Sequence, residues 1–151
     1  MPSLRPLFLL CLPFWLALSA SAADLTLEAH LIWASNESSD PRYLPAPADL
    51  SGKLHQIYKW NTYFEITNQI RSVPAKESRD FRMSDKCVLK IKNLGDSRIE
   101  VNCIGQGKQV SKGVHTVTPG QWVVLAGNAK NNTAWFISLR PVDASLATNR
   151  Q

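Results

Sequence analysis

Lys86-Cys-Val-Leu-Lys-Ile-Lys92 and Arg98-Ile-Glu-Val-Asn-Cys-Ile104, joined by Asn93-Leu-Gly-Asp-Ser97, are the residues on which the fold reading turns. Both flanking runs alternate apolar and polar side chains, the period of a strand with one buried face. The linker between them is built of turn formers, with Gly95 at its centre, so the spacing predicts an antiparallel hairpin. Cys87, Leu89 and Ile91 share one face of the first strand, and Ile99, Val101 and Cys103 share one face of the second. A fold symmetric about Gly95 sets Ile91 opposite Ile99, Leu89 opposite Val101 and Cys87 opposite Cys103. On the other face Lys90 meets Glu100, an attraction of a few tenths of a kcal/mol, and Lys92 meets Arg98. A structural disulfide between Cys87 and Cys103 is therefore expected, closing a loop at a gain of roughly 3 kcal/mol. No Cys-x-x-Cys spacing marks either thiol as redox-active.

The N-terminus supplies the oxidising compartment that such a bond needs. Arg5 precedes Leu7–Leu18, an uncharged apolar run, and Ser19-Ala-Ser-Ala22 offers the small residues of a cleavage site. This order predicts a secretory signal peptide over residues 1–22 and a secreted or periplasmic product. The run is interrupted by Pro13 and falls well short of the roughly 20 residues that span a bilayer. Cys11 follows Leu10 in mid-run, the wrong place for a lipid-modified N-terminus. What remains has room for a single β domain over residues 23–140, with residues 141–151 read as a disordered tail.

Outward from the hairpin the same period recurs. Leu25, Leu27, Ala29, Leu31 and Trp33 alternate with Thr26, Glu28 and His30, which predicts a strand with the latter three facing water. A polar, proline-bearing loop follows over residues 35–47. Leu50, Leu54, Ile57 and Tyr58 then recur at helical spacing behind Asp49, a candidate N-cap; Gly52 interrupts this one predicted helix. From Tyr58 the period returns to two: Trp60, Thr62, Phe64 and Ile66 fall on one face, Asn61, Tyr63, Glu65 and Thr67 on the other. Residues 68–78 read as a turn, 79–83 as a short strand, and 122–126 and 134–139 as further strands; before these two a polar stretch carries Val110 and then Val114 to Val117. The expectation is a mainly β fold, a small antiparallel sandwich or barrel of seven to eight strands with one short helix.

Chemical signatures are sparse. His30, His55 and His115 stand apart from one another, with no metal-ligand spacing around any of them. No nucleophile elbow, phosphate loop or calcium loop occurs. No catalytic residue, metal or other cofactor, and no nucleic-acid partner, is expected. Seven of the basic side chains lie within residues 71–92, against Glu77, Asp80 and Asp85. Of these, Arg82, Lys86, Lys90 and Lys92 are candidates for binding an anionic glycan or cell-wall polymer, against the plainer reading of a solvated strand face. Tyr43 in the long loop and Tyr63 on an outward face are the aromatics placed to meet a ligand, whereas the tryptophans fall on inward faces. Asn36-Glu-Ser38 and Asn131-Asn-Thr133 match the glycosylation triplet. The function expected is a non-catalytic binding or structural-interaction module of the cell envelope or extracellular space, its partner a polymer or another envelope protein. The alternatives are a small secreted hydrolase, which a polar cleft gathering a histidine with two carboxylates would favour, and a secreted enzyme inhibitor.

Overall fold

The alternating stretches pair into two antiparallel sheets in a computed structural model that describes residues 23–37, 40–129 and 131–148. The expected signal peptide lies outside the described residues. In chain order the elements are β1 (Leu25–Ser35), β2 (Leu44–Pro45), α1 (Ala48–Ile57), β3 (Thr62–Val73), β4 (Ser78–Ser84), β5 (Cys87–Gly95), β6 (Arg98–Gly105), β7 (Lys108–Thr116), β8 (Val123–Asn128), β9 (Ala134–Pro141) and α2 (Ser145–Thr148). One sheet runs β2-β3-β1-β9-β8 and the other β4-β5-β6-β7. The architecture is thus an open sandwich rather than a closed barrel. Leu27, Ala29, Ile137 and Leu139 of the first sheet meet Phe81, Leu89, Ile91, Ile99 and Val101 of the second in one buried core. Burial of each large side chain there contributes about 1.5–3 kcal/mol.

The central hairpin forms, but its register differs from the symmetric one. Asp96 and Ser97 both take positive φ, 53° and 57°, and together make the tight turn. Arg98 pairs with Gly95, itself at φ 84° beside a register shift, and Ile91 then pairs with Val101 and Leu89 with Cys103. The slip is by two residues, so every inward side chain stays inward. Its consequence falls on the cysteines: Cys87 faces Gly105, and Cys103 is its diagonal neighbour. Both are free thiols, 4.2 Å apart, and the expected disulfide is not formed. The charge pairing moves as well. Lys92 rather than Lys90 lies opposite Glu100, and Glu100 takes an ion pair from Lys112 at 3.3 Å.

Residues 68–73, read as a turn, continue β3. Its polar composition hides the strand, yet β1 is eleven residues long and β3 pairs along all of it. A bulge makes this possible: Leu31 pairs with Thr67 and Ile32 with Glu65, which leaves Ile66 as the extra residue. The face alternation resets there, so one period cannot be carried through the strand.

The outer face of the five-stranded sheet is covered rather than wet. Leu50 and Leu54 of α1 pack with Ile32, Ala34, Tyr63, Phe136 and Trp122 in a second core. Thr26, Glu28 and His30, expected in water, are buried. Tyr63 is only 2% exposed, which corrects its reading as an outward, ligand-meeting aromatic. Asp49 is no N-cap either: Pro47 holds that position, and the Asp49 carboxylate instead accepts from Trp122 and Arg140. The tail expected to be disordered is ordered through residue 148. The Val142 N–H donates to the Thr26 carbonyl, and Ser145–Thr148 form a single helical turn.

Candidate functional site

Three features gather chemistry-bearing side chains: a buried charge cluster under α1, a cleft at one end of the sandwich, and a cavity that holds both thiols.

The cluster arises because Glu28, His30, Glu65 and Asn68 share the outer face of the five-stranded sheet, with Arg140 opposite Glu28 on β9. His30 Nδ1 lies 2.6 Å from Glu65 Oε2, and Nε2 lies 3.0 Å from Glu28 Oε1, at ion-pair distance but out of line for a hydrogen bond. Asn68 donates to Glu65, and Arg140 Nε donates to Glu28 at 2.7 Å. Arg140 also donates to Asp49 at 2.8 Å and lies 4.2 Å from the Trp122 ring centroid. Trp122 in turn donates to Asp49 and packs edge-on against His30, and Lys53 donates to its carbonyl. His30 and Arg140 beside Glu28 hold its carboxyl down at about 2, against the opposing effect of burial.

A histidine between two carboxylates was the arrangement that would favour a hydrolase. Here it is not in a cleft, because His30 is 2% exposed and its two ring nitrogens face different acids. Trp122 packs edge-on over the imidazole, with its ring centroid 5.2 Å away. His55 and His115 do not join it. His55 packs edge-on against Tyr63 with Nδ1 2.8 Å from the Ser51 carbonyl, and His115 lies on β7 opposite Ile99. Among the described residues no group of three or more His, Cys, Asp or Glu is placed to hold a metal ion.

The end cleft, about 490 Å³, is lined by Trp33, Ser35, Asn36, Glu37, the turn residues Asn131 and Asn132, and Thr133. Hydrogen bonds set its walls. Asn61 donates through its backbone N–H to Asn36 Oδ1 and through Nδ2 to the Asn36 carbonyl, and Thr62 Oγ1 donates to the Glu37 carbonyl at 2.7 Å. On the far side Asn131 and Asn132 adopt positive φ, 64° and 53°, which asparagine tolerates better than most residues. The Ala129 N–H closes that turn on the Thr133 carbonyl. Trp33 forms the aromatic wall, stacked on Phe64 at 5.6 Å and edge-on to Tyr43 at 5.8 Å. Asp40 grips Arg42 through three donors and sets its guanidinium 5.5 Å from the Tyr43 ring. Tyr43 packs against Trp33 but is not itself among the residues lining the cleft. Trp33, read as core, lines that cleft. Asn36 and Asn131, noticed in sequence only as glycosylation triplets, both line it.

The cavity at the thiols, about 350 Å³, is mostly apolar, with Leu31, Val110 and Trp135 beside Cys87, Cys103 and Lys86. The Cys87 S–H, directed at Cys103, pushes its own pKa up and that of Cys103 down. Lys86 thus parts from the other three basic candidates. Arg82, Lys90 and Lys92 share the open outer face of the four-stranded sheet, where Asp80 lies opposite Lys90 and Glu100 opposite Lys92. The proposed basic patch is an interleaved, solvated face carrying both signs of charge.

No family model, curated protein or solved structure matches this chain.

Proposed function

We propose that the chain is exported and works as a non-catalytic binding module whose ligand, a neutral glycan, sits in the cleft beside Trp33. The observation that carries this reading is the lining of that cleft: one indole and three asparagine side chains, two of them on a turn held by its own backbone hydrogen bond. Amides offer donors and acceptors together, which suits hydroxyl groups, and an aromatic face suits the C–H face of a sugar ring. Glu37 in the lining works against a polyanion. So does the alternation of Asp80 and Glu100 with the lysines on the open sheet, which weakens any field that would attract one. The buried setting of His30 supports a module without catalysis.

The test is retention of the domain from residue 23 on a panel of insoluble neutral polysaccharides. At least one should retain it, with little change on adding salt. Trp33→Ala should weaken that binding about tenfold, ~1.4 kcal/mol. Asn132→Gly, which keeps the positive φ and removes the amide, should also weaken it. Equal binding by wild type and both variants, or retention only on anionic matrices, would place the ligand elsewhere and end this reading. Export is checked separately: protein recovered from the periplasm or medium should begin at Ala23 or Asp24.

A further inference from the structure

The pair of free thiols poses a question that the glycan reading does not touch. Cys87 is half-buried and Cys103 fully buried, each on the strand face that looks between the sheets. They sit 4.2 Å apart at the wall of a half-open cavity that Leu31, Val110, Trp135 and Gln106 also line. That separation is about twice the S–S bond length of about 2.05 Å, so the thiols are not in disulfide geometry. It is slightly less than two metal–thiolate bonds of about 2.3 Å laid end to end. A single ion held between sulfurs at that distance would subtend roughly 130°, and a linear bridge needs the sulfurs to part by about 0.4 Å, a side-chain adjustment that leaves the strands in place.

The chemistry of the surroundings selects the ion. With no third His, Cys, Asp or Glu in reach among the described residues, a four-coordinate zinc site cannot be completed. A soft monovalent ion such as copper(I) or silver(I) favours thiolate sulfur and is content with two ligands. The walls beside the sulfurs are mostly apolar, and the one neutral side-chain oxygen donor in the lining, the Gln106 amide, is a hard ligand that a soft ion passes over in favour of thiolate. Lys86, which also lines the cavity, supplies a positive charge. We propose that Cys87 and Cys103 form a two-coordinate site for a soft monovalent metal ion, copper(I) being the physiological candidate. On binding, each thiol releases one proton as its sulfur–metal bond forms, so two protons leave for one ion gained and the complex carries a single negative charge facing Lys86. No electron is transferred.

The experiment uses the reduced protein from residue 23, loaded anaerobically with copper(I), and in parallel with silver(I), in the presence of a competing chelator. One equivalent of either ion should be retained, two protons should be released per ion, and both thiols should become protected from alkylation. Cys87→Ser, at the half-buried position, and Cys103→Ala, which fills the buried one without a polar atom, should each abolish retention. Their thermal melts report that the sandwich persists. Lys86→Gln should weaken retention, most clearly at low salt. Retention unchanged in either cysteine variant would overturn the proposal. So would protein as isolated that is two mass units light, with no thiol titratable under denaturing conditions, because the sulfurs would then be joined to each other. Glycan binding by the Trp33 cleft is read independently of all these outcomes.

Discussion

The outer faces of the two sheets look alike in sequence and end up in opposite environments. On β1, Thr26, Glu28 and His30 alternate with core residues, as Lys90 and Lys92 do on β5. Strand period alone assigns both sets to water. In the fold, the first set lies under Trp122 and Arg140 beside α1, and becomes a buried, hydrogen-bonded charge network. The second stays exposed and pairs loosely across β4, β5, β6 and β7. The same residue types therefore carry different energies. Charges withdrawn from water are costly to leave unpaired, whereas exposed pairs are worth at most about 1 kcal/mol.

The sharpest way to break that comparison is to remove one buried partner. Glu28→Ala leaves His30 with Glu65 alone and Arg140 with Asp49 alone, and should lower unfolding stability by about 3 kcal/mol. Urea denaturation against wild type measures it. A loss under 1 kcal/mol would mean that water reaches the network and the two faces are equivalent.

A titration sharpens the same contrast at smaller expected effect. The Glu28 carboxyl is held at about 2 in the folded chain, below its ordinary 4.5, chiefly by His30 and then by Arg140. A depressed carboxyl contributes stability that is present above the unfolded value and fades as pH falls through about 4.5 towards 2. The contribution is at most about 3 kcal/mol. Denaturation midpoints followed from pH 6 down to 2 should fall more steeply in wild type than in Glu28→Gln. Parallel curves would remove Glu28 as the cause.

The smallest effect belongs to the open face. Lys90→Gln and Lys92→Gln should each change stability by less than about 0.5 kcal/mol, and Glu100→Gln by a similar amount that shrinks further with salt. A change above 1 kcal/mol in any of these would show that this face, too, is covered in solution.

Much of the sandwich was legible. The alternation at β1, the start of β3, β5 and β6 and the helical stripe of Leu50 and Leu54 located most elements, because a buried face imposes its period on the chain locally. The misreadings share a cause. Centring the hairpin on Gly95 ignored that Asp and Ser can both take positive φ, and a two-residue turn at Asp96 and Ser97 then set the register. At Ile66 a bulge reset the alternation, a choice made by the long pairing of β3 with β1. The charge cluster left one trace in the sequence, Glu28 and His30 on the same strand face, but Glu65 and Arg140 are brought to them only by pairing. The end cleft was less legible still, since its walls are loops far apart in the chain that meet across β1 and β9.

By itself the sequence determined which side chains could share a face, and hence a mainly β chain with a hairpin at Cys87 and Cys103. Whether those faces met water, a helix or one another was decided only by tertiary structure. Periodicity is a property of one strand, set by its own backbone, whereas burial depends on what packs over it. The same limit applies to the thiols. Their inward direction follows from alternation, but their separation follows from a two-residue slip in register made at the turn.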